Sequence, residues 1–153
     1  MAVIEERLTE LGIELPPAPA PVASYVPVRV AGGLAFVAGQ IPLEGGEVLS
    51  VGKLGDEVAL EEGAAAARRC ALQALSALRD ALGSLDRVRQ IAKVEVFVAS
   101  ASGFTDQPKV ANGASDALVE ILGDAGRHAR AAVGVAELPL GASVEVAMVA
   151  AVD

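Results

Sequence analysis

The sequence predicts a single α+β domain, in which a mixed β-sheet carries two helices on one face. Two observations support this class. Apolar residues alternate with a period of two in several short segments, and they recur at steps of three and four in two long ones. The order along the chain is strand, strand, helix, strand, helix, strand, strand, which is typical of helices packed on one side of a sheet. The 153 residues are enough for one core.

The N-terminal segment predicts a short amphipathic helix followed by an extended arm. Apolar residues at positions 3, 4, 8 and 11 have helical spacing, and Gly12 stands where a helix C-cap is expected. Prolines at positions 16, 17, 19 and 21 exclude a regular helix and favour a polyproline-like conformation. We therefore predict an N-terminal helix and arm over residues 1–21, followed by the main domain over residues 22–153.

The first half of the main domain predicts two strands and a long helix. Alternating valines before and after Gly32 and Gly33 indicate strands near 26–30 and 34–37 around a Gly-Gly turn. Residues 43–58 are rich in glycine and predict a loop with one short strand. Residues 57–82 give the clearest helical pattern, with glutamates in the first turn and Gly83 as the stop.

The second half predicts a strand, a helix and a closing pair of strands. Residues 91–99 alternate with a period of two, and residues 109–122 show helical spacing up to Gly123. Residues 131–137 and 143–152 predict two strands joined by the Leu-Pro-Leu-Gly turn at 138–141. Asn112, which stands near the start of the second helix, is by ordinary interpretation its N-cap.

Composition and charge exclude several classes of function. The net charge of −8 disfavours a nucleic-acid partner, because such binders usually present a basic face. The chain has no long uncharged apolar run and an acidic N-terminus, so we expect no membrane segment, no export signal and a cytoplasmic location. Aromatic residues make up only 3% of the chain, which predicts a thin core and gives a reason to expect buried surface between subunits.

The chain contains few residues of the types that most often act as nucleophiles, bases or metal ligands. His128 is the single histidine and Cys70 the single cysteine, so an intrachain disulfide and a cysteine zinc cluster are excluded. No GxSxG motif accompanies the histidine, and the glycines form no phosphate-binding loop. The pattern predicts neither a metal nor another cofactor.

Arg130 is the most informative position. It precedes a strand of small residues, and its planar guanidinium can hold a carboxylate bidentately. The alternative is a salt bridge at the surface or in an interface. Glu145 fits an exposed strand position, and Tyr25 fits a buried ring with a satisfied hydroxyl. Spacing alone does not connect these residues.

Four segments together resemble one family. They are Tyr25 in PVASYVPVRV, AGQIP at 38–42, Asn112 in VANGASDALVEIL, and HARAAVGVAELPLGASVEVAMVA. The chain resembles the RidA/YjgF family of reactive-intermediate deaminases over residues 22–152. The most specific part is an arginine followed by V-x-V-x-x-L-P and then V-E-V. The resemblance implies a chorismate-mutase-like fold and a homotrimer with ligand pockets in the clefts between subunits.

The resemblance also implies a reaction and its site. Arg130 would clamp the carboxylate of a 2-imino acid or enamine, and Glu145 would hold or activate the water that attacks the imine carbon. Tyr25, Gly39 and Asn112 would line the same pocket. The products would be a 2-keto acid and ammonia, with no cofactor. The alternative is a non-catalytic trimer that binds a small carboxylate as a sensor or carrier. Endoribonuclease activity, attached to some members by name, is disfavoured by the acidic charge.

The chain departs from the pattern of the deaminating members near Arg130. Where those members commonly have Pro-Ala-Arg-Ser-Cys, it has His128-Ala129-Arg130-Ala131-Ala132. Ala132 therefore replaces a pocket cysteine that is thought to contribute mainly its backbone. His128 is interpreted as a loop residue, and a chemical role beside the pocket is the alternative.

Overall fold

The computed structural model describes residues 3–20 and 23–153. A five-stranded sheet in the order β1-β2-β7-β5-β6 forms the centre of the molecule, and β3 and β4 form a separate hairpin. The elements in chain order are α1 (Val3–Leu11), β1 (Val28–Ala31), β2 (Leu34–Gln40), β3 (Leu43–Glu44), β4 (Glu47–Val48), α2 (Leu60–Leu82), β5 (Val88–Ala99), α3 (Gln107–Leu122), β6 (Ala129–Val135) and β7 (Val144–Val152). Short 3-10 turns occupy 85–87, 123–126 and 139–141.

The sheet is mixed and has two different faces. Strand β6 runs parallel to β5, and all other neighbours are antiparallel. Along the central strand β7, alternate residues from Val144 to Val152 are buried beneath the helices, and the residues between them are half-buried on the opposite face. We call these the helix face and the open face. The predicted α+β class, with a mixed sheet and helices, is confirmed.

Small side chains let α2 and α3 approach each other closely. Residues 64–67 form a run of alanines on α2, and α3 crosses this run at Gly113. A Cβ atom at Gly113 would overlap with the backbone carbonyl of Ala64. At this crossing the two helices are therefore packed by close backbone contact rather than by large side chains.

Gly113→Ala should destabilise the fold, although alanine is the better helix former. The added methyl group meets rigid backbone, so the two helices must separate, and overpacking of this kind costs about 1–3 kcal/mol. Calorimetric unfolding is expected to show a lower Tm. Lys109→Ala, on the exposed side of the same helix, is the control and should leave Tm nearly unchanged. An unchanged Tm for Gly113→Ala would contradict the close helix contact.

The N-terminal segment packs onto the same core. The predicted helix is confirmed as α1, which buries Ile4 and Leu8 among the core residues. The Glu5 carboxylate accepts hydrogen bonds from Arg79 and from the backbone N–H of Leu85. The division of the chain at residues 21 and 22 stays a prediction, and these two residues lie outside the described part.

Several local features differ from the expectations. Strand β6 spans Ala129–Val135 instead of 131–137, so Arg130 lies within the strand and not before it. The 43–58 segment contains two paired strands instead of one, because Gly45 and Gly46 adopt positive φ and close a hairpin. Strand β5 begins at Val88, since it pairs with the end of β7. The interpretation of Asn112 as an N-cap is wrong: α3 begins at Gln107, so Asn112 lies in its second turn.

Candidate functional site

Arg130 lies on the edge strand β6 and reaches toward α3. In the parallel β5–β6 register it stands opposite the buried Val94, which places it on the helix face of the sheet. Its Nη1 donates to Asn112 Oδ1 at 2.8 Å and to Ser115 Oγ at 3.1 Å. No carboxylate of the described residues forms an ion pair with it. Among residues 3–20 and 23–153, the salt-bridge alternative is therefore not found.

The two partners of Arg130 come from one face of α3. Asn112 and Ser115 are three residues apart, and such pairs are neighbours on a helix surface. Ser115 was not among the predicted site residues, although its spacing from Asn112 is the signal that could have identified it. His128, in the link before β6, lies on the far side of Ser115, with its Nε2 2.9 Å from Ser115 Oγ. We call Asn112, Ser115, His128 and Arg130 the arginine cluster.

Glu145 lies on β7 and points to the open face. It pairs with Phe97 of β5, whereas the β5 residues on either side of Phe97 are buried beneath the helices. Partial burial raises the pKa of the Glu145 carboxyl above its ordinary value. The carboxylate lies directly over Gly39, because a Cβ atom at that position would stand 2.5 Å from Glu145 Oε2. The absence of a side chain at Gly39 makes room for this carboxylate.

A cleft of about 470 Å³ opens beside Gly39. Tyr25 also lines it, and the Tyr25 side chain is exposed, so the interpretation of a buried ring is wrong. Seven further residues line the cleft: Pro19, Ala20, Pro27, Gln40, Ile41, Leu43 and Leu140. The proline-rich arm thus supplies one wall. We call Tyr25, Gly39 and Glu145 the glutamate group.

The predicted site residues fall into two sets that one chain does not bring together. Ala132 stands opposite Val96 on β6, so it shares the helix face with Arg130 and packs against the core. One set lies on the helix face at the β6 edge and consists of Arg130 and Ala132 on β6 and Asn112 on α3. The other set is the glutamate group, which lies on the open face and in the adjoining cleft. Arg130 and Glu145 lie on opposite faces of the sheet.

The single cysteine belongs to neither of these two sets of residues. The Cys70 thiol is buried and burial raises its pKa strongly, so it is held in its neutral form. No cluster of three or more potential metal ligands occurs among residues 3–20 and 23–153. No helix in this part of the chain combines the length and the apolar character needed to cross a membrane.

Gly39→Ala should impair the glutamate group without unfolding the protein. Gly39 has no positive φ, and the atoms that the new methyl group meets belong to the Glu145 side chain rather than to the backbone. The Glu145 carboxylate can therefore move to make room for the methyl group, but it then leaves the position that it needs for its function. We expect Tm within a few degrees of wild type and a clear loss of any activity that depends on Glu145. Retention of full activity would contradict the placement of this carboxylate.

The architecture and the two sets of residues define a class: small α+β sheet proteins with polar groups at a sheet edge and on an open sheet face. A sequence model for "YjgF/chorismate mutase-like, putative endoribonuclease" proteins matches residues 5–152. The chain belongs to this YjgF/RidA family, which confirms the resemblance described above.

Individual relatives support the same assignment. Protein TCP17 of Trypanosoma cruzi is 49% identical over 144 residues, which cover 94% of this chain and 90% of that protein. A protein of unknown function from Agrobacterium tumefaciens has 44% identity and a TM-score of 0.91, covering 99% of this chain and 93% of the other. A "putative endoribonuclease" from Shewanella oneidensis has 35% identity and a TM-score of 0.93, covering 98% and 99%.

Proposed function

We propose that this protein hydrolyses 2-imino acids and their enamine tautomers to 2-keto acids and ammonia, in clefts between the subunits of a homotrimer. The observation that carries the proposal is Arg130: a permanent cation at an exposed sheet edge, held by two neutral side chains and without a carboxylate partner among the described residues. Such a guanidinium is suited to a small carboxylate ligand.

The trimer is part of the proposal because Arg130 and the glutamate group lie on opposite faces of the sheet within one chain. A cleft containing both Arg130 and Glu145 needs the β6 edge of one copy and the glutamate group of another. The open face supports such an assembly. It exposes the large apolar side chains Phe36 and Val133, and exposed apolar side chains on one face often belong to an interface. In solution the mass should be three times the 15.4 kDa of one chain.

The reaction requires little from the protein beyond positioning of the substrate and of the attacking water. Arg130 would bind the carboxylate and fix the C=N bond. Ionised Glu145 would accept a proton from water as the water oxygen bonds to the imine carbon and the C=N electron pair moves to nitrogen. Glu145 would return this proton to the nitrogen, which gives a carbinolamine. Transfer of the carbinolamine hydroxyl proton to the amino group, formation of the C=O bond and cleavage of the C–N bond would then release ammonia and leave the 2-keto acid. Imines hydrolyse without a catalyst, so orientation and charge stabilisation can account for the acceleration.

A coupled assay tests the proposal. An amino-acid dehydratase generates the enamine from serine, and formation of pyruvate and ammonia is followed as the protein concentration is varied. We expect a rate above spontaneous hydrolysis that rises with protein concentration. If calorimetry detects pyruvate binding but no acceleration occurs, the non-catalytic carboxylate binder is the correct function. Cleavage of RNA in a parallel incubation would favour the endoribonuclease instead.

A further inference from the structure

A chain of four hydrogen bonds leads from Arg130 into the loop before β6. Arg130 Nη1 contacts Asn112 Oδ1 and Ser115 Oγ, Ser115 Oγ contacts His128 Nε2 at 2.9 Å, and His128 Nδ1 contacts the Gly126 carbonyl oxygen at 2.7 Å. The last acceptor is backbone in a 3-10 turn, and Gly126 is packed so closely that a Cβ there would overlap with the Leu118 backbone. This series of hydrogen bonds therefore ends at a rigidly packed backbone carbonyl group.

The contacts in this hydrogen-bond chain allow every donor to meet an acceptor. A guanidinium can only donate, so Ser115 Oγ accepts from Arg130, and its own proton remains available to His128. In an imidazole that carries its proton on Nδ1, Nε2 accepts the hydrogen bond from the Ser115 hydroxyl. The Nδ1 proton is donated to the carbonyl oxygen of Gly126, which can only accept. Every group in the chain thus has a partner of the opposite kind.

The same hydrogen bonds determine which part of the guanidinium remains available. Both hydrogens of Nη1 are directed to Asn112 and Ser115, and three of the five N–H donors of Arg130 are left. These are on Nε and Nη2, which share one edge of the planar group. Two parallel N–H bonds along that edge match the two oxygens of a carboxylate.

We propose that Ser115 and His128 are positioning residues, which hold Arg130 so that its Nε/Nη2 edge is presented to the substrate carboxylate. This inference rests on the proposed function. It assigns His128 a role in the site without making it an acid, a base or a substrate contact. It also explains why an arginine on an exposed edge strand can act as a rigid clamp, since its free side chain would otherwise lose considerable conformational entropy on binding.

The test compares Ser115→Ala, His128→Asn and His128→Gln with wild type by calorimetric titration with pyruvate and by the coupled assay. The amide of His128→Gln reaches the position of Nε2 and offers an oxygen to the Ser115 hydroxyl. The shorter His128→Asn reaches only the position of Nδ1. We expect pyruvate affinity to fall about three- to tenfold for Ser115→Ala and His128→Asn, the usual effect of one lost hydrogen bond. His128→Gln should stay within about twofold of wild type.

The outcomes separate this inference from the function on which it rests. If wild type binds pyruvate and all three variants bind equally well, or if the Asn and Gln variants fall together, the positioning role is wrong. If wild type neither binds pyruvate nor accelerates hydrolysis, the proposed function fails first. Tm is measured for each variant, since a merely structural role would make affinity follow stability. Should Ser115→Ala fail to fold, the comparison of the two His128 variants decides alone.

Discussion

Arg130→Ala is expected to abolish detectable acceleration of imine hydrolysis and to weaken pyruvate binding about 100- to 1,000-fold, because charge-assisted contacts to a bound carboxylate contribute several kcal/mol. The loss should appear in both binding and turnover, since the carboxylate is charged in the substrate and stays charged throughout the reaction. Folding should be unaffected: the side chain is exposed, and its partners Asn112 and Ser115 can hydrogen-bond to water instead.

Arg130→Lys separates the charge from the geometry. Lysine retains one positive charge but lacks the planar pair of N–H bonds, so it should recover only part of the affinity. Arg89→Ala removes the same charge from an exposed ion pair with Asp153 at the beginning of β5, and serves as the matched control. If Arg130→Ala and Arg89→Ala reduce binding equally, Arg130 acts through the general field of the protein and not as a clamp.

The elements of this fold could be predicted from the sequence where the hydrophobic period was long and regular. The alanine and leucine stripe of α2 and the alternating valines of β5 and β7 each indicated the correct element. Ends were less predictable, because they depend on partners distant in sequence. Strand β5 begins at Val88 because it pairs there with Val152, and no local pattern contains that information.

The sequence named candidate site residues but did not reveal how the fold divides them in space. Motifs singled out Arg130 and Glu145, yet a motif does not state which face of the sheet a side chain takes. That depends on strand register: Arg130 stands opposite Val94, and Glu145 stands opposite Phe97. Ser115 escaped notice because its three-residue spacing from Asn112 becomes informative only when the arginine that both residues contact is known. Its proposed role rests on this tertiary contact.

Glu145→Gln is expected to lower kcat about 100-fold or more while leaving pyruvate affinity within a few-fold of wild type, as expected for loss of a general base. The amide keeps the shape of the side chain over Gly39 but cannot accept the proton of the attacking water. Glu61→Gln, on the exposed first turn of α2, makes the same chemical change away from the site and should retain full activity. Equal turnover by Glu145→Gln and wild type would remove Glu145 from the mechanism.

The raised pKa of Glu145 gives this prediction a pH dependence in both activity and stability. Only the ionised carboxylate can act as the base, so wild-type turnover should fall as pH decreases through a value above the ordinary carboxyl pKa of 4.5. Stability changes in the opposite sense. Since the folded state binds the Glu145 proton more tightly than the unfolded state, rising pH costs stability between 4.5 and the raised pKa. Glu145→Gln should remove this part of the pH dependence and raise Tm above that window. A variant that loses both turnover and Tm at neutral pH would show instead that the ionised carboxylate stabilises the fold, and that burial is not its dominant influence.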